Sequence, residues 1–82
     1  MHYVYLLKSQ KDQKFYIGQT SDLERRLMEH NAGRVTSTKQ RCPFDLVGTE
    51  CYRTQSEARW REYQLKKSAH QRTRFIQKFI PR

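Results

Sequence analysis

Three tyrosines, one arginine, one histidine and one glutamate are the residues of this sequence whose types and spacing could do chemistry. Tyr3, Tyr5 and Tyr16 stand in apolar stretches, where packing across strands is the ordinary work of an aromatic ring. A phenol can also pass protons to and from a water, but its usual pKa of about 10 calls for cationic neighbours such as Arg26 before it does so at neutral pH. Leu23 and Leu27 mark the core-facing side of a helix, and at about 100° per residue Arg26 and His30 fall within about 60° of it. Either they are boundary residues, with Arg26 extending its head to water, or two polar groups are held inward for use. Glu62 lies within a stripe of Ala58, Leu65 and Ala69 at helical spacing. An unpaired buried charge is costly, so this carboxyl is protonated, paired with a cation, or holding a metal.

The elements that must position these groups follow from the hydropathy pattern. His2 to Lys8 and Phe15 to Gln19 are aromatic and branched, and they flank the polar run Ser9 to Lys14, which predicts a β-hairpin. Tyr3 and Tyr5 then share one face. Ser21-Asp22-Leu23-Glu24 has the form of a capping box, so a helix is expected from about Asp22 to Glu29 or His30, stopped by Asn31-Ala32-Gly33. Arg34 to Pro43 shows no period and reads as a surface loop, either a solvated connector or one that touches phosphates through Arg34, Lys39 and Arg41. Phe44 to Tyr52 is strand-like. Thr54 and Glu57 open a second helix from about Gln55 to Ala69, and Arg72 to Ile80 is expected to form a short last helix that ends before Pro81 and packs Phe75, Ile76 and Phe79 inward. The order is β-β-α-β-α-α in one domain spanning residues 1–82.

Length and charge bound what such a domain does. With 82 residues there is room for a single thin core. The 17 Lys and Arg outnumber the 8 Asp and Glu, and a formal charge of +9 gives a field that attracts polyanions, nucleic acid first among them. A membrane surface or an acidic protein is also a polyanion, so charge alone does not choose. Cys42 and Cys51 have no metal-ligand spacing and read as reduced thiols. The apolar start of the chain is too short for a signal peptide or a membrane span, which points to a cytoplasmic protein. Nothing signals an oligomer, and a monomer is the default.

Read together, these residues resemble the GIY-YIG nuclease family, in particular its small stand-alone bacterial (UPF0213-like) members, over nearly the whole chain. Tyr3-Val4-Tyr5 stands at the GIY element, Tyr16-Ile17-Gly18 matches YIG, Asp22 to Arg26 with Glu29-His30-Asn31 matches the helix that carries the catalytic arginine, and Arg61-Glu62 falls at the metal-binding glutamate. Tyr3 replaces the first glycine of the family's element, and Gln19 stands where some relatives have a basic residue. The resemblance implies an α+β fold, a central three-stranded antiparallel sheet flanked by helices, and a DNA endonuclease serving repair or recombination. It further implies one Mg²⁺ or Mn²⁺ held chiefly by Glu62 and water. Arg26 would stabilise charge on phosphorus, Tyr16 or Tyr5 would help deprotonate the attacking water, and His30 would assist. Gly18 would let the strand end approach a phosphate closely. Two-metal cleavage needs clustered carboxylates that the other acids do not obviously supply, which favours a single ion.

The cations expected to meet the DNA backbone are Arg25, Arg34, Lys39, Arg41, Lys66 and Lys67. RNA remains open as a substrate, as does whether a partner protein supplies the specificity that the family usually gets from an attached domain. The competing reading is a basic module that binds nucleic acid without cutting it. A third is a protein-interaction adaptor whose charge only aids solubility.

Overall fold

A computed structural model describes residues 1–80; Pro81, expected as the stop of the last helix, and the cation Arg82 lie outside the described residues. The elements run β1 (His2–Ser9), β2 (Phe15–Thr20), α1 (Leu23–Asn31), β3 (Phe44–Tyr52), α2 (Gln55–Lys67) and α3 (Ala69–Phe79). The three strands form one antiparallel sheet in the order β2-β1-β3. The expected α+β class and element order are therefore present.

Strand β1 is central, and both of its faces are covered. Val4 and Leu6 point to one side, where they meet Ile17, Ala58, Leu65 and Phe75 under α2 and α3. Tyr5 and Leu7 point to the other, against Phe44, Tyr16 and the α1 residues Leu23 and Leu27. This is the period-2 alternation of a strand with an apolar layer on each face. Opposite Leu6 and Leu7 the register of β3 slips by one residue, since Gly48 pairs with Leu6 and Leu46 with Leu7. The extra residue, Val47, packs toward α2 and α3.

Each helix starts on a side-chain cap. Asp22, not Ser21, caps α1: its carboxylate accepts from the Arg25 N–H at 3.1 Å. The helix ends in a Schellman motif, with Gly33 N–H donating to His30 O at 3.2 Å and Arg34 N–H to Glu29 O at 3.0 Å. Gly33 takes φ +73° to close it, a backbone region that favours glycine. Thr54 caps α2 through the Glu57 N–H, as its spacing predicts.

The last two helices depart from the sequence reading. Helix α2 ends at Lys67 rather than Ala69, and α3 begins at Ala69 rather than Arg72. Ser68 closes the first and caps the second, accepting from Gln71 N–H at 3.2 Å. Ala69 therefore leaves the α2 stripe. The stripe narrows to Ala58 and Leu65, and Glu62 moves from its middle to its half-exposed edge.

Phe75 is buried in the larger core cluster. Phe75→Ala is expected to lower unfolding free energy by about 3–5 kcal/mol, and Ser68→Ala by about 1 kcal/mol through loss of the cap. Urea unfolding measures both; a Phe75→Ala loss below about 1 kcal/mol would mean that α3 does not complete the core.

Candidate active site

The site forms at the β2 side of the sheet, where the α1 face of β1 and β2 comes near α2. Register places Tyr5 directly across from Gly18. A Cβ at Gly18 would lie 2.3 Å from the Tyr5 hydroxyl, so only glycine leaves room for that ring. The phenol continues to His30 on α1, its hydroxyl 3.0 Å from Nε2. On the far side of the imidazole, Nδ1 lies 2.8 Å from Thr38 Oγ1, and the Thr38 hydroxyl donates to Val35 O at 3.4 Å. Because the Thr38 proton is directed at a carbonyl, Oγ1 accepts from Nδ1–H. Nε2 is then left as the acceptor of the Tyr5 proton.

Electrostatics support the same assignment. His30 has no exposed surface, and burial, helped by the nearby Arg26 charge, lowers its pKa to about 4. It is therefore a neutral imidazole in the interior rather than a boundary residue. Burial pushes the Tyr5 phenol up to about 12, and Arg26, donating toward the hydroxyl, offsets this only in part; Tyr16 and Glu62 are near enough to raise it further. Tyr5 holds its proton at neutral pH. The Arg26 pKa is raised, first by its hydrogen bond to Tyr5.

Around this chain stand the other groups singled out in the sequence. The Tyr16 ring lies 5.1 Å from the His30 ring and 6.4 Å from the Tyr5 ring, and it is partly exposed. Arg26 is half-buried, with Nη1 3.2 Å from Glu29 Oε1. On α2, Glu62 pairs with Lys66 at 3.1 Å, and the same ammonium sits over the Tyr16 ring at 5.4 Å. Tyr5, Tyr16, Arg26, His30 and Glu62, far apart in the chain, thus gather in one place. A cleft of about 440 Å³ opens beside Arg26, lined by Gln19, Thr20, Asp22, Arg25, Glu29 and Gln55 among others.

The expected phosphate contacts divide into free and engaged groups. Arg25 is well exposed on α1, with Glu29 at 3.6 Å, and Arg34 and Lys39 are exposed in the loop after it. Arg41 is engaged: Nε meets Asp12 at 2.8 Å, Nη2 reaches Phe15 O, and the guanidinium covers the Phe44 ring. Lys67 hydrogen-bonds the Tyr63 hydroxyl at 2.8 Å. The space above Gly18 is filled by the Tyr5 ring.

Two groups escaped the sequence reading. Thr38 is fully buried within a loop with no periodicity, and only its contact with His30, eight residues away, reveals it. Glu50, on β3, faces the α2 and α3 side. Burial alone would raise its carboxyl, but hydrogen bonds from Arg61, Tyr52 and Lys78 outweigh that and hold it at about 2. A groove of about 660 Å³ is lined by this cluster with His70, Gln71 and Arg74. Its one acid is already neutralised by two cations, which suits joining both helices to β3 rather than chemistry.

The perturbed groups make stability depend on acid in two stages. His30 binds a proton only near pH 4 when folded but at its ordinary value of 6.5 when unfolded, so the unfolded state holds more protons in between. Stability is complete above about pH 6.5 and falls as pH drops toward 4; Glu50, shifted from 4.5 to about 2, extends the loss over that lower range. The expected result is a urea midpoint that declines from pH 7 to 4.5, with His30→Asn flattening that part of the curve. A constant wild-type midpoint would contradict a neutral, buried imidazole.

Comparison with known proteins bears on the family and the fold. The GIY-YIG catalytic domain profile matches residues 1–75. A UPF0213 protein of Haloquadratum walsbyi is 46% identical over 66 residues, covering 79% of this chain and 73% of that protein. One from Staphylococcus saprophyticus is 42% identical over 72 residues, 87% of each chain. The solution NMR structure of a UPF0213 protein from Bacillus halodurans superposes with a TM-score of 0.57 at 35% identity, covering 92% of this chain and 81% of that one. With the profile spanning almost all of its length, this chain belongs to the GIY-YIG catalytic domain family.

Proposed function

We propose that this protein is a divalent-cation-dependent endonuclease that hydrolyses phosphodiester bonds in DNA. The observation that carries the reading is the convergence of Tyr5, Tyr16, Arg26, His30 and Glu62 on one half-open site in a chain of formal charge +9. The family to which the chain belongs supports a nucleic-acid substrate, and the cation excess supports a polyanionic one.

The donor set bears on the cation. Among the described residues there is no cluster of three or more His, Cys, Asp or Glu that could hold a metal. A single half-exposed carboxylate at Glu62 suits one hydrated Mg²⁺ or Mn²⁺, a hard ion that keeps most of its waters and binds through one or two carboxylates. It does not suit a closed cage or a soft metal. When bound, such an ion polarises the phosphate and stabilises the leaving oxygen.

The remaining work falls to the protein's own groups. Arg26, held by Glu29 and Tyr5, offers its exposed edge to a phosphate and stabilises the charge that grows on it. Tyr16 is the phenol with surface open to water, and Lys66 stands over its ring. We assign it the contact with the attacking water. Tyr5 acts differently: its hydroxyl, donated to neutral His30, fixes Arg26 and the Tyr16 side of the sheet in place.

One observation favours the alternative of a binding module without turnover, namely that Glu62 already has Lys66 as a partner. Cleavage of labelled duplex, flap and branched DNA in Mg²⁺, Mn²⁺ or EDTA separates the two. The expected outcome is metal-dependent cutting that falls about 10²-fold or more in Glu62→Ala and in Arg26→Ala, while DNA binding by Glu62→Ala is retained. Binding with no cutting of any substrate would favour the module instead.

A further inference from the structure

Two of the largest aromatic side chains are not used by the fold. Trp60 and Tyr63 on α2 are 61% and 50% exposed, yet their rings stack with centroids 5.7 Å apart and planes 21° from parallel. Neither belongs to the core clusters, which take only Ala58 and Leu65 from this helix as buried residues. At about 100° per residue, Trp60 and Tyr63 project from the side of α2 opposite that core face, with Tyr63 the nearer of the two to Glu62. Lys66 and Arg59 lie between Glu62 and Tyr63 around the helix, and Lys67 stands over the Tyr63 ring at 5.3 Å. An aromatic surface is thus continuous, through cations, with the carboxylate of the candidate site.

We propose that Trp60 and Tyr63 form a stacking platform for unpaired bases of the nucleic acid, beside the scissile phosphate, so that the preferred substrate carries a single-stranded segment. Every base has a π face, so exposed aromatic rings flanked by cations hold single strands without reading sequence. A base pair inside a duplex keeps its faces covered and has nothing to offer the platform. The cations would meet the phosphates that link the stacked bases. A protein partner could also cover exposed aromatics, but the surrounding Arg59, Lys66 and Lys67 match a phosphate chain. The proposal rests on the preceding reading in taking nucleic acid as the ligand.

Trp60 is the single tryptophan of the chain, so intrinsic fluorescence reports the platform directly. The protein is titrated in EDTA, where cleavage plays no part, with a short oligothymidylate, an abasic oligomer of equal length and a blunt duplex. The expected result is strong quenching by oligothymidylate and little by the other two. By anisotropy of labelled strands, Trp60→Ala and Tyr63→Ala weaken single-strand binding about tenfold and duplex binding less than about twofold; circular dichroism checks that both variants remain folded. Quenching that is absent, or equal with the abasic oligomer, overturns the proposal, as does equal weakening on duplex. An exposed pair that instead mediates self-association, seen as concentration-dependent mass in the wild type and lost in Trp60→Ala, also overturns it. If no metal supports cutting but oligothymidylate still quenches, the endonuclease reading falls and the platform stands. If cutting occurs without quenching, the reverse holds.

Discussion

The packing of Tyr5 against Gly18 is the contact on which the candidate site depends. The central strand and its neighbour bring the two residues into register, and the missing side chain at Gly18 is the space that the phenol occupies. From there the hydroxyl reaches His30, whose other nitrogen is held by Thr38. Each donor in this chain faces one acceptor, so a fully buried imidazole is accommodated without charge. Among the described residues no buried side-chain polar atom lacks a partner. A methyl group at position 18 would collide with the Tyr5 ring and put the whole chain of bonds out of line.

The sheet divides structural support from the candidate site. On one face α2 and α3 seal Val4, Leu6 and Ile17 with Leu65 and Phe75, and the Glu50 cluster joins both helices to β3 through Arg61 and Lys78. On the other face α1 supplies Arg26 and His30 from a short helix held at both ends by its caps. Helix α2 serves both sides: Leu65 is inside, Glu62 lies at the edge near Tyr5, and Trp60 faces outward. Moving about half a turn around one helix therefore passes from core to site to solvent, which is why a domain this small can carry a site at all.

Charge has two distinct uses in this molecule. Arg61, Lys78 and Arg41 are bound to Glu50 and Asp12, and Arg41 also covers Phe44, so their cations fasten the fold. Arg25, Arg34, Lys39 and Lys67 keep exposed heads and contribute to the outward field. The 17 Lys and Arg thus overstate the number of cations free for a phosphate, since several are anchored to neighbouring acids. No helix of the described structure is long and apolar enough to cross a membrane.

The sequence by itself determined the order of elements, the hairpin and the family, because these rest on local patterns: alternation in His2 to Lys8, caps at Asp22 and Thr54, and the left-handed glycine after α1. The break at Ser68 was also legible, since Ser68 and Gln71 have capping-box spacing, but continuous helix formers on both sides masked it. Helical phase alone left Arg26, His30 and Glu62 as oddities with several explanations. Only the tertiary structure decided that His30 is buried and neutral, that Tyr5 rather than a phosphate fills the space over Gly18, that Glu62 lies at an edge with Lys66, and that Thr38 and Glu50 matter. Those outcomes depend on residues far apart in the chain, such as Glu50 and Lys78 at 28 positions, meeting across layers. A local period fixes which way a side chain points along its own element, but not what it finds there.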